Sequence, residues 1–122
     1  MDAPKNDTPP EDFLPLRPAV FLILLSLAEA RRHGYALARA VEARSGGTVK
    51  LATGPLYRHL KRMLEAGLVE ETDQRPSPDQ DDERRRYYRL TELGLEVMAL
   101  EAKRMAGLVE RARELGVPGE AW

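Results

Sequence analysis

The chain has 122 residues, 43% of them hydrophobic and 32% charged, the profile of one soluble, helix-rich domain with a modest core. It has no cysteine, which excludes disulfides, thiolate metal sites and cysteine nucleophiles and fits a reducing cytoplasm. The net charge of −1 and pI of about 6.1 give no overall sign of nucleic-acid binding.

Residues 1–15 carry Pro4, Pro9, Pro10 and Pro15 among polar side chains and read as a flexible arm, with Phe13 and Leu14 able to tuck against the domain. The acids and prolines there replace the positive charge and apolar core of a signal peptide. The longest apolar run, residues 19–28, falls short of the roughly 20 residues that span a bilayer. A cytoplasmic protein with no membrane partner is expected. The first helix is predicted over residues 16–32, with Pro18 near its start. Val20, Phe21, Leu22, Ile23, Leu24, Leu25 and Leu27 make it apolar almost all round, so more than one side must be covered. One side meets the core; the other, with Phe21 and Leu24, is assigned to a second subunit.

His33-Gly34 breaks this helix, and residues 35–44 begin another with Leu37, Ala38 and Val41 inward. Ser45-Gly46-Gly47 is a turn, and residues 48–51 supply a single strand or an extended link. Residues 53–66 form a third helix. Thr53 is its expected N-cap, Pro55 fits the first turn and Gly67 ends it. Leu56, Leu60, Met63 and Leu64 make one apolar stripe; Gly54, Arg58, Lys61 and Arg62 lie opposite, with Tyr57 at the margin. Taken alone, such a face is what any solvated helix shows.

Residues 68–72 read as a strand, 73–83 as a polar loop and 85–91 as a second strand. Alternation puts Arg86, Tyr88 and Leu90 on one face of that strand, with Tyr88 and Leu90 in the core, and Arg85, Tyr87 and Arg89 on the other. Thr91 then caps a long helix to about residue 115. Its stripe of Leu93, Val97, Met98, Ala102, Met105, Leu108, Val109, Ala112 and Leu115 is more than a small domain covers, and a partner helix is the remedy. Val97, Met98, Met105, Leu108 and Ala112 are assigned to that seam. Gly116 and Pro118 end the helix, and a short tail (residues 117–122) runs to Trp122.

The predicted fold class is mostly α with a small β-hairpin. A winged helix-turn-helix over residues 16–91 is followed by a C-terminal dimerisation helix over 92–116. In that plan the third helix enters the DNA major groove and the hairpin, or wing, touches the adjacent backbone or minor groove. Charge is distributed accordingly: residues 30–66 hold eight Lys/Arg against Glu42 and Glu65, and phosphate attraction needs only a local positive patch.

His33-Gly34-Tyr35, Gly54-Pro55-Leu56-Tyr57-Arg58-x-Leu60-Lys61-Arg62, Gly67-Leu68-Val69 and Arg84-Arg85-Arg86-Tyr87-Tyr88-Arg89-Leu90-Thr91-x-x-Gly94 resemble the PadR family of bacterial transcriptional regulators. The resemblance covers residues 16–115, and the single C-terminal helix matches the family's shorter members. It implies a homodimeric winged-helix DNA binder, usually a repressor, with the last helix as dimerisation element. Some PadR-like dimers bind small aromatic or drug-like effectors between subunits, and that trait is implied here too. The loop over 73–83 is longer and more acidic than the family's usual wing, and the proline-rich arm is not part of its pattern.

Arg58, Lys61 and Arg62 are assigned to phosphate or base contacts, an Arg being able to read guanine through two hydrogen bonds. Thr53 and Gly54 offer N–H groups at a helix start, where a phosphate is favoured. Tyr57 either bonds a phosphate or braces the helix pair, and Lys50 is a further phosphate candidate. Arg84, Arg85 and Arg86 are the wing candidates, set against self-neutralisation by Asp79, Asp81, Asp82 and Glu83. His33 is expected to order its turn; with His59 it makes no metal site. No catalytic grouping or cofactor motif is present, so neither an enzyme nor a cofactor is expected. The expected partners are double-stranded DNA and a second copy of the chain. The competing class is a winged-helix module that binds protein and not DNA.

Overall fold

The computed structural model describes residues 8–73 and 86–117. Pro18 decides where the first helix starts, because a proline's missing N–H is unused in a first turn. The helix α1 therefore runs Pro18–Glu29, two residues later than predicted. Chain extension at Ala30 leads into a two-residue strand, β1 (Arg32–His33), and then α2 (Gly34–Arg44). His33 caps α2 by accepting the Ala36 N–H on Nδ1 at 3.3 Å, the turn-ordering role expected of it. Residues 48–51 form an extended link outside any strand, with Val49 and Leu51 packed against the core.

The recognition-helix candidate, α3, spans Thr53–Ala66 and ends at Gly67 in the left-handed conformation (φ 81°), which glycine adopts without a Cβ penalty. Strands β2 (Val69–Thr72) and β3 (Tyr87–Leu90) follow, then α4 (Glu92–Glu114). The expected hairpin is one half of a three-stranded antiparallel sheet in the order β1-β3-β2, with Arg32 opposite Tyr88 and Glu71 opposite Tyr88 on the other side. The loop acids at 79 and 81–83, Arg84, Arg85, Pro118 and Trp122 lie outside the described residues.

The core gathers Ile23, Leu24 and Leu27 of α1, Leu37 and Val41 of α2, Leu56, Leu60 and Met63 of α3, and Leu68, Val69, Tyr88 and Val97. Two residues assigned to a subunit seam are thereby corrected: Leu24 and Val97 have no exposed surface, being consumed by the protomer's own core. Tyr87 is corrected as well. Strand alternation puts it on the face opposite Tyr88 and Leu90, away from the core, yet it is buried, because His33 meets its ring edge-on at 5.4 Å. Phe13, Leu14 and Leu16 pack against the core, and a short 3-10 turn (Pro10–Phe13) lies on α4, so this part of the arm is docked.

Thr91 caps α4 as expected: its hydroxyl accepts the Gly94 N–H at 3.0 Å, and it lies within 2.6 Å of the Gly67 carbonyl. A Cβ on Gly94 would sit 2.1 Å from the Leu68 carbonyl oxygen; the Thr-x-x-Gly motif is thus a close crossing of α4 over the end of α3. Further along, Glu101 is buried and binds the Leu16 N–H at 2.8 Å and Arg104 at 2.5 Å. Beyond it α4 is largely uncovered, with Leu108 58% and Leu115 67% exposed. No helix among the described residues is long and apolar enough to cross a membrane.

Candidate nucleic-acid interface

Three of the core side chains, Leu56, Leu60 and Met63, lie on one side of α3, and their burial turns Gly54, Arg58, Lys61 and Arg62 outward, all four exposed. Among the described residues none of these three cations is in an ion pair. Their charge is therefore available to an outside anion.

The start of α3 differs from expectation. Ala52, not Thr53, occupies the N-cap, and no side chain caps the helix. The reason is local: Pro55 must lie in the first turn and Leu56 bonds back to the Ala52 carbonyl at 3.0 Å, which sets the helix one residue earlier. The exposed Thr53 hydroxyl and the first-turn N–H groups are left facing outward, a suitable arrangement for a phosphate. A Cβ on Gly54 would meet only Arg58 Nη1, at 3.5 Å. Nothing among the described residues requires glycine there; bare backbone permits a close approach from outside.

Tyr57 takes the bracing role weighed for it, with part of its ring left at the surface. Its hydroxyl would lie 2.2 Å from a Cβ on Gly34, so the ring braces α3 against the start of α2. It is also 44% exposed. An open groove of about 660 Å³ runs between α2 and α3, lined in part by Tyr35, Arg39, Lys50, Thr53 and Tyr57. Tyr35 and Arg39 are additions to the sequence-derived set. Tyr35 is 66% exposed and Arg39 stacks over its ring at 5.8 Å, presenting a cation and an aromatic surface on the same side as α3. The signal was available in the sequence: an aromatic in the first turn of a helix, with an Arg one turn further on.

The wing is less open. Arg86, exposed, lies 3.4 Å from Glu71, and Arg89 binds Glu70 at 2.5 Å. Exposed pairs of this kind contribute about 0–1 kcal/mol, so Arg86 can exchange its partner for a phosphate at little cost. On the other flank of α3, burial, and then the charges of Arg17, Arg62 and Arg58, hold the His59 imidazole below its ordinary pKa.

The chain matches the model of the transcriptional regulator PadR-like family over residues 23–100. A PadR family transcription regulator from Clostridium difficile superposes with a TM-score of 0.66 at 23% identity, over 81% of this chain and 98% of that one. A transcriptional regulator from Clostridium thermocellum gives 0.64 at 19% identity, over 82% and 90%. At these identities the likeness speaks for the fold. An uncharacterized 37.1 kDa protein in a transposon of Streptomyces fradiae is 37% identical over 102 residues. That match covers 84% of this chain and 27% of the transposon protein, so the chain spans about a quarter of that relative's length. With the family model covering most of the folded residues and the winged helix-turn-helix in place, the chain belongs to the PadR-like family of transcriptional regulators, a family of DNA-directed regulators and not of enzymes.

Proposed function

We propose that this regulator is a cytoplasmic repressor that binds a palindromic operator as a homodimer, placing one α3 in each half-site. The observation that carries the reading is the outward face of α3, where Arg58, Lys61 and Arg62 stand exposed and, among the described residues, without ion-pair partners beside a helix start with no side-chain cap. Lys50 and the wing residue Arg86 are assigned to flanking phosphates; Arg84 and Arg85 keep that assignment on sequence grounds. Homodimerisation is supported by the bare apolar side of α4, where Leu108 and Leu115 are exposed, together with Met98, Met105 and Ala112 on α4 and Phe21 on α1, which stay half-buried. Half-sites would then lie about one helical turn, or a multiple of it, apart. Repression follows the family's usual mode, and release by a small aromatic or drug-like effector held between subunits follows that of some of its members.

The test is fluorescence anisotropy with the duplex upstream of the protein's own gene, over a range of salt concentrations. Binding should weaken steeply as salt rises, each lost phosphate contact lowering the log–log slope by about 0.9. Arg58→Ala with Lys61→Ala should abolish binding and leave the melting temperature nearly unchanged, since both side chains are exposed. Absence of duplex binding by the wild type at low salt would return the chain to the class of winged-helix modules that bind protein.

A further inference from the structure

The flank of α3 turned away from α2 carries a second cationic site, which shares Arg62 with the recognition face and adds Arg17 and His59. A shallow groove of about 240 Å³ lies there between the docked arm, the start of α1 and the middle of α3. Arg17, His59 and Arg62 stand around it, and Phe13, Val20 and Met63 contribute to its apolar floor. Among the described residues none that lines it is acidic. The groove between α2 and α3 includes Glu42, and the one beneath the far end of α1 includes Glu29, Glu70 and Glu92. Among the described residues Arg17 has no ion-pair partner.

The residue that brings the extra charge here is held in place. Leu16 donates its N–H to the buried Glu101 carboxylate at 2.8 Å, which anchors the chain one residue before Arg17. Arg17 then occupies the N-cap of α1 without using its side chain as a cap, and that side chain is exposed. Burial of His59 together with the charges of Arg17, Arg62 and Arg58 depresses the imidazole's pKa, a sign that these cations share one positive field. Cations over an apolar floor attract an anion more strongly than they would in open water.

We propose that Arg17, His59 and Arg62 form a seat for a DNA backbone phosphate beside the recognition helix, on the flank opposite α2. This rests on the DNA-binding reading given above and extends it to a residue outside the helix-turn-helix. A strand held on both flanks of α3 fixes the register of that helix in the groove, and the seat itself reads no base.

Anisotropy titrations of wild type, Arg17→Ala and Arg17→Lys against the operator and against shuffled duplexes, each over a salt series, test it. Loss of one phosphate contact should lower the salt slope of Arg17→Ala by about 0.9, which corresponds to about eightfold weaker binding at 0.1 M salt. The preference for operator over shuffled duplex should be unchanged, Arg17→Lys should keep most of the slope, and both variants should melt as the wild type does. A wild type that binds with Arg17→Ala at the same slope and affinity overturns the seat and leaves the DNA reading intact. A wild type that binds no duplex overturns both. If the slope is unchanged but octanoate displaces DNA from the wild type and not from Arg17→Ala, the groove holds a small amphipathic anion and the phosphate seat is again overturned.

Discussion

Gly94→Ala is the substitution on which the packing account stands most exposed. Alanine normally favours a helix over glycine by about 0.5–1 kcal/mol, and Gly94 lies in the first turn of α4. Here its Cβ would come within 2.1 Å of the Leu68 carbonyl oxygen and 2.9 Å of Leu90 Cδ1. The first of these is backbone, and it cannot rotate aside. The same carbonyl accepts the Thr91 N–H at 3.2 Å and lies 3.0 Å from the Thr91 hydroxyl. Moving α4 away to make room therefore strains the cap that starts it. Overpacking costs about 1–3 kcal/mol and each weakened hydrogen bond about 0.5–1.5 kcal/mol. With two such bonds and the helix gain subtracted, the net loss is about 1–5 kcal/mol, centred on about 3, or roughly 12 °C in melting temperature at that centre. Thermal melts at one fixed protein concentration measure it. Gly107→Ala on the same helix is the control: nothing lies within 4 Å of its Cβ in the protomer, so it should be neutral or stabilising unless a partner helix covers that spot. A Gly94→Ala protein melting at or above the wild-type temperature would refute the close crossing.

Glu101 ties stability to acid. Arg104 holds its carboxyl below the usual value of 4.5, against the upward push of burial, with the Leu16 N–H assisting. A depressed carboxylate stabilises the fold above its unfolded pKa and loses that contribution as pH falls through the folded one. The melting-temperature gap between wild type and Glu101→Gln should thus narrow from about pH 6 to about pH 3, and a constant gap would count against the buried pair. For His59 the sign is opposite in consequence: burial and the neighbouring Arg17, Arg62 and Arg58 lower its pKa in the free protein, and a phosphate in the adjacent seat would raise it, so binding takes up protons as the pH falls. Operator affinity should rise as pH drops from about 7 to about 5.5, and His59→Gln should flatten that dependence; a parallel profile in the variant would remove His59 from the seat. Leu108→Glu with Leu115→Glu places charge on the exposed side of α4. Sedimentation equilibrium should then show monomers with an unchanged protomer fold, whereas a surviving dimer would move the seam elsewhere.

Elements with a period of their own were legible from the sequence. The stripe on α3, the Gly67 stop, the Thr91 cap and the length of α4 all follow from local chemistry, and the structure agrees with each. What escaped was set by distant neighbours. β1 has two residues, too few to show alternation, and it exists because β3 offers a free edge there. Tyr87 is inward because His33 arrives from 54 positions earlier to cover it. A stripe announces burial without saying against what, which is why Leu24 and Val97 were given to a partner subunit when the protomer's own core takes them. Glu101 stands one turn after Val97 on that stripe, where a carboxylate interrupts the apolar pattern; only the Leu16 N–H and Arg104 make its burial tolerable.

The candidate site shows why a net charge near zero is compatible with a positive binding face. Among the described residues five acids outside α3 are matched with cations outside α3: Glu29 with Arg32 and Arg44, Glu70 with Arg89, Glu71 with Arg86, Glu101 with Arg104, and Glu114 with Arg111. Of the eight cations between residues 30 and 66, two are thus engaged by Glu29, while Lys50, Arg58, Lys61 and Arg62 have no ion-pair partner among the described residues and stand on or beside α3. The sum over the chain counts both groups and cancels; a phosphate within a Debye length of α3, about 8–10 Å in ordinary salt, meets mainly the second. Pairing thus removes cations near Glu29 and along the wing and spares those of α3, so these four cations stand beside a helix start without a side-chain cap and a Gly54 open to approach from outside.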